Sequence, residues 1–281
     1  MHLRLENSPL TYLYDGSLAG LYCCVYESVY KKEMPLSIVV VNGGLMPTLF
    51  EQKTIHTDEK HAVRVRNSIR EKISPIALEL VEHTFLTCLR EKEIKILRFL
   101  ILGYQEGRRV TDMLGHSDVS PLLKANKHLW GEQHLLLGFV RFTDYGGLLV
   151  AVITPKNFVL PLMVDHFTDR YSTEKFLIYD KSHSAALVFD GVRAEIVQME
   201  NLALKPPDEA EEKYRALWKQ FYKTIAIKER TNPVCRRSHM PMRYWENMLE
   251  VKDELRLKGK EIEETALLDG GGISLRRDVL Q

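Results

Sequence analysis

The residues best suited to chemistry lie in Asp165-His166-Phe167-Thr168-Asp169-Arg170-Tyr171 and in the string Ile178-Tyr179-Asp180 that follows. His166 and Arg170 are four apart, so on a helix they stack on one face, beside an apolar stripe of Leu160, Met163 and Phe167. An imidazole titrates near neutrality, a guanidinium clamps a phosphate at two points, and a carboxylate at a strand end can orient either. His166, Arg170 and Asp180 are therefore the candidate catalytic set of a nucleic-acid-processing enzyme. The competing reading is structural: the histidine or arginine pairs with Asp180 or Asp169 where helix meets sheet, because buried polar groups need partners. Whether the chain is an enzyme stays open at this level.

A second group suits binding. Residues 213–245 hold nine Lys and Arg against one acid, Glu229, a segment charge of +8, while the remainder of the chain carries −7. Lys219 and Lys223 are i and i+4 on an expected helix with Trp218, Phe221 and Tyr222; Lys228, Arg230, Arg236, Arg237, Arg243, Tyr244 and Trp245 follow. Cations track phosphates and aromatic planes stack on unpaired bases. Lys219, Lys223, Arg230, Arg236, Arg237, Arg243, Tyr244 and Trp245 are thus the candidate nucleic-acid contacts. DNA is the expected partner, and RNA stays open because the 2′-hydroxyl contacts that discriminate them leave no sequence signature. Against this, Trp218, Tyr222 and Trp245 could be core residues and the cations a solvated face.

Other chemistries lack their parts. The chain has no HExxH, P-loop, GxGxxG or GxSxG string. Its four cysteines include the adjacent pair Cys23-Cys24 and no CxxC, which suits reduced, packed thiols better than a bridge framework or zinc knuckle. Glu132 and His134 have no third ligand at metal spacing and read as surface polar residues. No cofactor and no metal are expected.

The elements that must hold these residues can be read from periodicity. Leu10 to Val29 reads as a short strand, a turn at Asp15-Gly16-Ser17 and a helix capped by Ser17. Ser37 to Val41, cut by Asn42-Gly43-Gly44 and followed by Leu49-Phe50, predicts a small hairpin or strand pair. Helical periods follow from Thr57, from Pro75 and over Ile94 to Tyr104, with a further helix within 118–131. After Gly131, strands are expected at His134 to Phe142 and Leu148 to Ile153, joined by Asp144-Tyr145-Gly146-Gly147. A helix over roughly Val159 to Tyr171 and strands at Phe176 to Asp180, Ala185 to Phe189 and Ala194 to Gln198 complete the sheet. Pro206-Pro207-Asp208 marks a linker before a helix over Glu209 to Thr224, and a short helix starts near Pro241.

These elements make an α+β protein, with a helical N-terminal half around a small strand pair and an antiparallel-sheet C-terminal half with covering helices. The expected domains are 1–130, mainly helical; 131–250, an α+β core with the basic aromatic segment; and 251–281, a loosely ordered tail. With 281 residues, 45% hydrophobic and 27% charged, the chain can bury a core without staples. Its apolar runs are far below the ~18 residues that cross a bilayer. His2, Arg4 and Glu6 interrupt the start before an apolar signal core could form, so a cytoplasmic location is expected.

Several strings resemble one bacterial family, the "probable DNA metabolism protein" family. They are Tyr14-Asp15-Gly16-Ser17 with its helix, Gly138-Phe139-Val140-Arg141-Phe142, His166-Phe167 with Arg170-Tyr171, Ile178-Tyr179-Asp180, and Met240-Pro241-Met242-Arg243-Tyr244-Trp245. That family is a domain of unknown function also found fused to uracil-DNA glycosylase superfamily domains. The similarity spans approximately residues 1–250, and the ordered set is more specific than any single string. It implies a stand-alone protein that works with a radical-SAM partner in DNA modification or repair. The positions carried over are Asp15, Gly16, Phe139, Arg141, Phe142, His166, Arg170, Asp180, Arg243, Tyr244 and Trp245. The tail after Glu250 has no counterpart, and glycosylase chemistry is not transferred to a chain lacking that domain. A subunit that only docks the radical-SAM protein through its basic face is the alternative.

Overall fold

A computed structural model describes residues 6–41 and 50–252, so the Asn42-Gly43-Gly44 turn and the tail from 253 onward lie outside the described residues. The chain divides into two compact units: Met1–His134 with Pro155–Val159, and Leu135–Thr154 with Leu160–Gln281.

The first unit opens with β1 (Glu6–Asn7), β2 (Leu10–Tyr14), α1 (Leu18–Lys31), β3 (Glu33–Met34), β4 (Ser37–Val40) and β5 (Glu51–Thr54). Strand β2 is central, with β4 and β5 parallel to it on either side; Thr11 lies opposite Ser37, and Leu10 opposite Glu51. The segment expected as a small hairpin or strand pair from Ser37 onward thus forms strands that pair not with each other but each with β2, in a three-stranded parallel sheet. The reason is β2 itself, whose Thr11, Tyr12 and Tyr14 are buried, so the strand is covered and paired on both edges as parallel strands usually are.

The turn after β2 forms as expected. Gly16 takes φ +82, which a side chain would oppose, and Ser17 caps α1 by accepting from Gly20 N at 2.9 Å. Asp15 Oδ1 accepts from Ser17 N at 2.9 Å and Oδ2 from Thr57 Oγ1 at 2.7 Å. Gly20 leaves room for that carboxylate, since a Cβ there would lie 2.2 Å from Asp15 Oδ1.

Helices α2 (Glu59–Lys72), α3 (Pro75–Phe85) and α4 (Lys92–Glu106) start and stop by local chemistry. Asp58 and Ser74 cap the first two, Pro75 fills the first turn of α3, and Gly107 at φ +61 ends α4. Their apolar stripes bury Ile69, Ile73, Val81, Leu97 and Leu100 in one core. Helix α5 (Ser120–Phe139) overturns the strand expected at His134 to Phe142. Between Glu132 and Phe139 no residue is β-branched and three are consecutive leucines, which favour helix over strand and let it run through Gly131.

Glu132 is likewise buried, not a surface residue. Its carboxylate accepts from Lys156 N at 3.0 Å, Asn157 N at 2.8 Å and Asn157 Nδ2 at 2.7 Å, tying the 155–159 segment into the first unit. Asn157 Oδ1 in turn accepts from Cys88 N at 3.0 Å, and Phe158 N donates to Leu86 O at 2.8 Å.

The second unit contains β6 (Thr143–Asp144), β7 (Leu148–Ile153), α6 (Leu160–Arg170), β8 (Lys175–Asp180), β9 (Ala185–Phe189) and β10 (Ala194–Gln198) in one sheet of order β10-β9-β8-β7-β6. Only β7 and β8 run parallel, bridged by α6; every other pair is antiparallel, so the unit is a mostly antiparallel α+β layer. Helix α7 (Glu209–Ile225), capped by Asp208, then α8 (Pro233–His239) and a 3-10 turn at Met242–Asn247 complete it. Among the described residues no helix is long and apolar enough to cross a membrane.

Candidate functional site: an arginine-lined aromatic cavity

The sheet fixes where the sequence candidates fall. Ile153 pairs with Asp180 at one end of the β7–β8 pair and Leu148 with Lys175 at the other. Helix α6 returns from the first end to the second, leaving Arg170 near the Lys175 end. With ~3.3 Å per residue, Asp180 is roughly 16 Å along β8 from Lys175, so Arg170 and Asp180 occupy opposite ends of the crossover. His166 is on the intervening helix.

Asp180 finds its imidazole elsewhere. It is fully buried, and its Oδ2 accepts from His183 Nδ1 at 2.6 Å while Oδ1 accepts from Ser182 N at 2.9 Å. His183 carried no signal in the sequence because its partner is three residues away across a β-turn that ladder periodicity does not mark.

At the Arg170 end the second unit holds a cavity of about 830 Å³. Leu137, Gly138, Val140, Arg141 and Phe142 form one wall, Phe167, Arg170 and Tyr171 another, and α7 with Leu249 the rest. Phe142 anchors the aromatic side, with ring centroids 5.7 Å from Phe167 and 5.0 Å from Tyr171. Helix α7 contributes Glu211, Tyr214, Arg215, Leu217, Trp218 and Phe221. Two of the strings that carry the resemblance, 138–142 and 166–171, therefore meet in one place.

The three arginines differ in what they have left to give. Arg141 Nη1 donates to Gly138 O at 2.8 Å and Nη2 to Glu250 Oε1 at 2.6 Å, with the guanidinium 5.7 Å from the Trp218 ring centroid. Trp218 Nε1 donates to the other Glu250 oxygen at 3.2 Å. Burial alone would push the Glu250 carboxyl up, but the Arg141 and Trp218 bonds hold it below the ordinary glutamate value. Arg215 donates to Glu211 Oε1 at 2.9 Å and to Thr143 Oγ1 at 2.7 Å. Arg170 has no carboxylate partner among the described residues; its guanidinium lies 5.9 Å from the centroid of Tyr171. Two charges are thus neutralised within the wall and one remains. Among the described residues Arg141 Nε is buried without a hydrogen-bond partner.

The basic segment divides in a way its composition hid. Tyr244 and Trp245, at 2% and 1% exposure, are core residues and cannot stack on a base. They anchor the segment: Trp245 Nε1 donates to Met240 O at 2.9 Å, and Tyr244 packs on Phe139 at 5.8 Å. Arg243 and Arg236 cover these rings at 4.5 and 4.9 Å. Lys223, Arg230 and Arg237 are exposed and make no ion pair among the described residues, and Lys219 is half-buried. Asp15 and Gly16 belong to the first unit, where they shape the entry to α1.

Among the described residues no three His, Cys, Asp or Glu side chains cluster so as to hold a metal ion. No curated protein and no solved structure matches the chain. Residues 90–250, more than half of its length and including every wall of the cavity, match the family model of a domain of unknown function, DUF4130, and the chain belongs to that family.

Proposed function

We propose that this protein is a nucleic-acid-binding accessory of DNA metabolism or repair, of the "probable DNA metabolism protein" type, acting in the cytoplasm beside a radical-SAM partner. One observation carries the reading: Lys223, Arg230 and Arg237 are exposed on a segment anchored in the core by Tyr244 and Trp245, and among the described residues no carboxylate pairs with them. A held array of unpaired cations is what a phosphate backbone releases its counterions to. A salt titration of affinity for single- and double-stranded DNA tests it. Affinity falls steeply with salt, and replacing all three cations by alanine reduces the log–log slope by about 2 to 3. Absence of binding to either form at low salt overturns the reading.

A second reading has its own support. Tyr214, Leu217, Phe221 and Ile225 form one stripe of α7 and are each more than half exposed, an apolar face that suits docking to a protein. Nuclease-resistant co-purification with the radical-SAM protein, together with no DNA affinity of the isolated chain, favours a pure interaction subunit.

A further inference from the structure

We propose that the cavity between α6 and α7 binds a single unstacked nucleotide, its base against the aromatic wall and its phosphate on Arg170. This rests on the nucleic-acid reading above and narrows it to unpaired bases.

Three observations converge. The volume, about 830 Å³, is within the range of roughly 300–1,000 Å³ typical of small-ligand sites and accommodates one nucleotide with space to spare. The lining offers the exposed rings of Trp218 and Phe221, on which any base can stack because every base has a π-face. Its electrostatics are nearly balanced, since Arg141 is matched by Glu250 and Arg215 by Glu211, and the residual charge is the one guanidinium of Arg170. A purely apolar ligand would leave Arg170 unanswered, at the cost of desolvating it.

The same features exclude a regular duplex from the cavity. Stacked, paired bases present only edges and backbone, so a ring enters only from a single strand, a flipped position or a free nucleotide.

The test uses the full chain and fluorescence anisotropy of a labelled 12-mer single strand. Competitors are its duplex, an abasic oligomer with the same phosphates, and free deoxynucleoside monophosphate. The single strand is expected to bind at least tenfold more tightly than the duplex or the abasic oligomer. Trp218→Ala is expected to lose about tenfold or more in affinity with little change in salt slope, and Trp218→Phe to retain most of it. Because Trp218 also donates to Glu250, the exposed Phe221→Ala and Arg170→Gln serve as second variants. The first mirrors Trp218→Ala; the second lowers the salt slope by about 0.7. Tight, Trp218-dependent binding of the free monophosphate supports the same site chemistry and identifies the ligand as a mononucleotide. Equal affinity for single strand, duplex and abasic oligomer overturns the cavity proposal while leaving the cationic surface standing; no binding to any of them overturns both.

Discussion

Arg141 Nη2 donates to Glu250 Oε1 at 2.6 Å, joining residues 109 apart in sequence. The Glu250 side chain is 3% exposed and that of Arg141 24%. Their pairing, with Trp218 on the other carboxylate oxygen, fastens the chain just beyond the basic segment, and α7, to the cavity wall formed at the end of α5 and the residues after it. Removing one partner strands a charge, and that asymmetry governs how the site responds to mutation.

Glu250→Ala is therefore expected to destabilise the protein by about 2 kcal/mol, less than the roughly 3–5 kcal/mol of fully buried pairs because Arg141 keeps some water. The pH dependence follows from the direction of the shift. The folded carboxyl titrates below its unfolded value of about 4.3, so its contribution is complete above that value and is lost as pH falls through the folded pKa. Melting temperatures of wild type and Glu250→Gln, measured from pH 7 down to pH 3, are expected to converge at the acid end.

Asp180 and His166 are expected to respond in opposite ways. Asp180→Ala removes the acceptor of Ser182 N and His183 Nδ1 from a fully buried position and costs about 2 kcal/mol. His166→Ala shifts stability by about 0.5 kcal/mol or less and leaves oligonucleotide affinity unchanged. Denaturant melts and anisotropy decide both. An activity on any nucleic acid that disappears in His166→Ala at unchanged melting temperature would restore His166 to a catalytic role.

Gly20→Ala is expected to be disproportionately harmful for an exchange that ordinarily strengthens a helix. The new Cβ would overlap Asp15 Oδ1, displacing the carboxylate that holds Ser17 and Thr57. A loss of about 2 kcal/mol is expected by urea unfolding, where an unhindered helical site would gain up to about 1 kcal/mol. A stabilised Gly20→Ala variant would show that the turn relaxes without cost.

The thiols sort by burial. Cys88 and Cys235 are exposed, whereas Cys23 and Cys24 are buried and burial pushes both thiols up. The native chain is expected to titrate two thiols quickly with an aromatic disulfide reagent and the other two only after denaturation. Four fast thiols would mean that α1 opens on the time scale of the assay.

What the sequence disclosed was what neighbouring residues decide. The strand, turn and helix from Leu10 to Lys31, the helix starting at Pro75 and the strand set β8 to β10 follow from caps, turns and periodicity. Long-range partners were not legible. Leu135-Leu136-Leu137 suits either a strand or a helix until α5 is already propagating, and nothing near Glu132 announces that Asn157 will arrive to use its carboxylate. Trp245 and Tyr244 looked like stacking platforms because their sequence neighbours are cations, yet both rings are core. The cavity was legible only in fragments: Arg141, Phe142, Arg170 and Tyr171 stood out, but the distinction between a neutralised Arg141 and an uncommitted Arg170 needs Glu250 in place.

The Pro155–Val159 segment has a bearing on how this protein can be divided. The chain leaves the second unit after β7, contributes Asn157 to the first, and re-enters at α6 before β8 forms. No single cut between residues releases either unit whole. A truncation after His134 deprives Glu132 of every donor described for it above, and a fragment beginning at Leu135 carries Lys156, Asn157 and Phe158 without the partners they bond in the first unit. Neither unit is therefore a contiguous module that could be moved or expressed by itself.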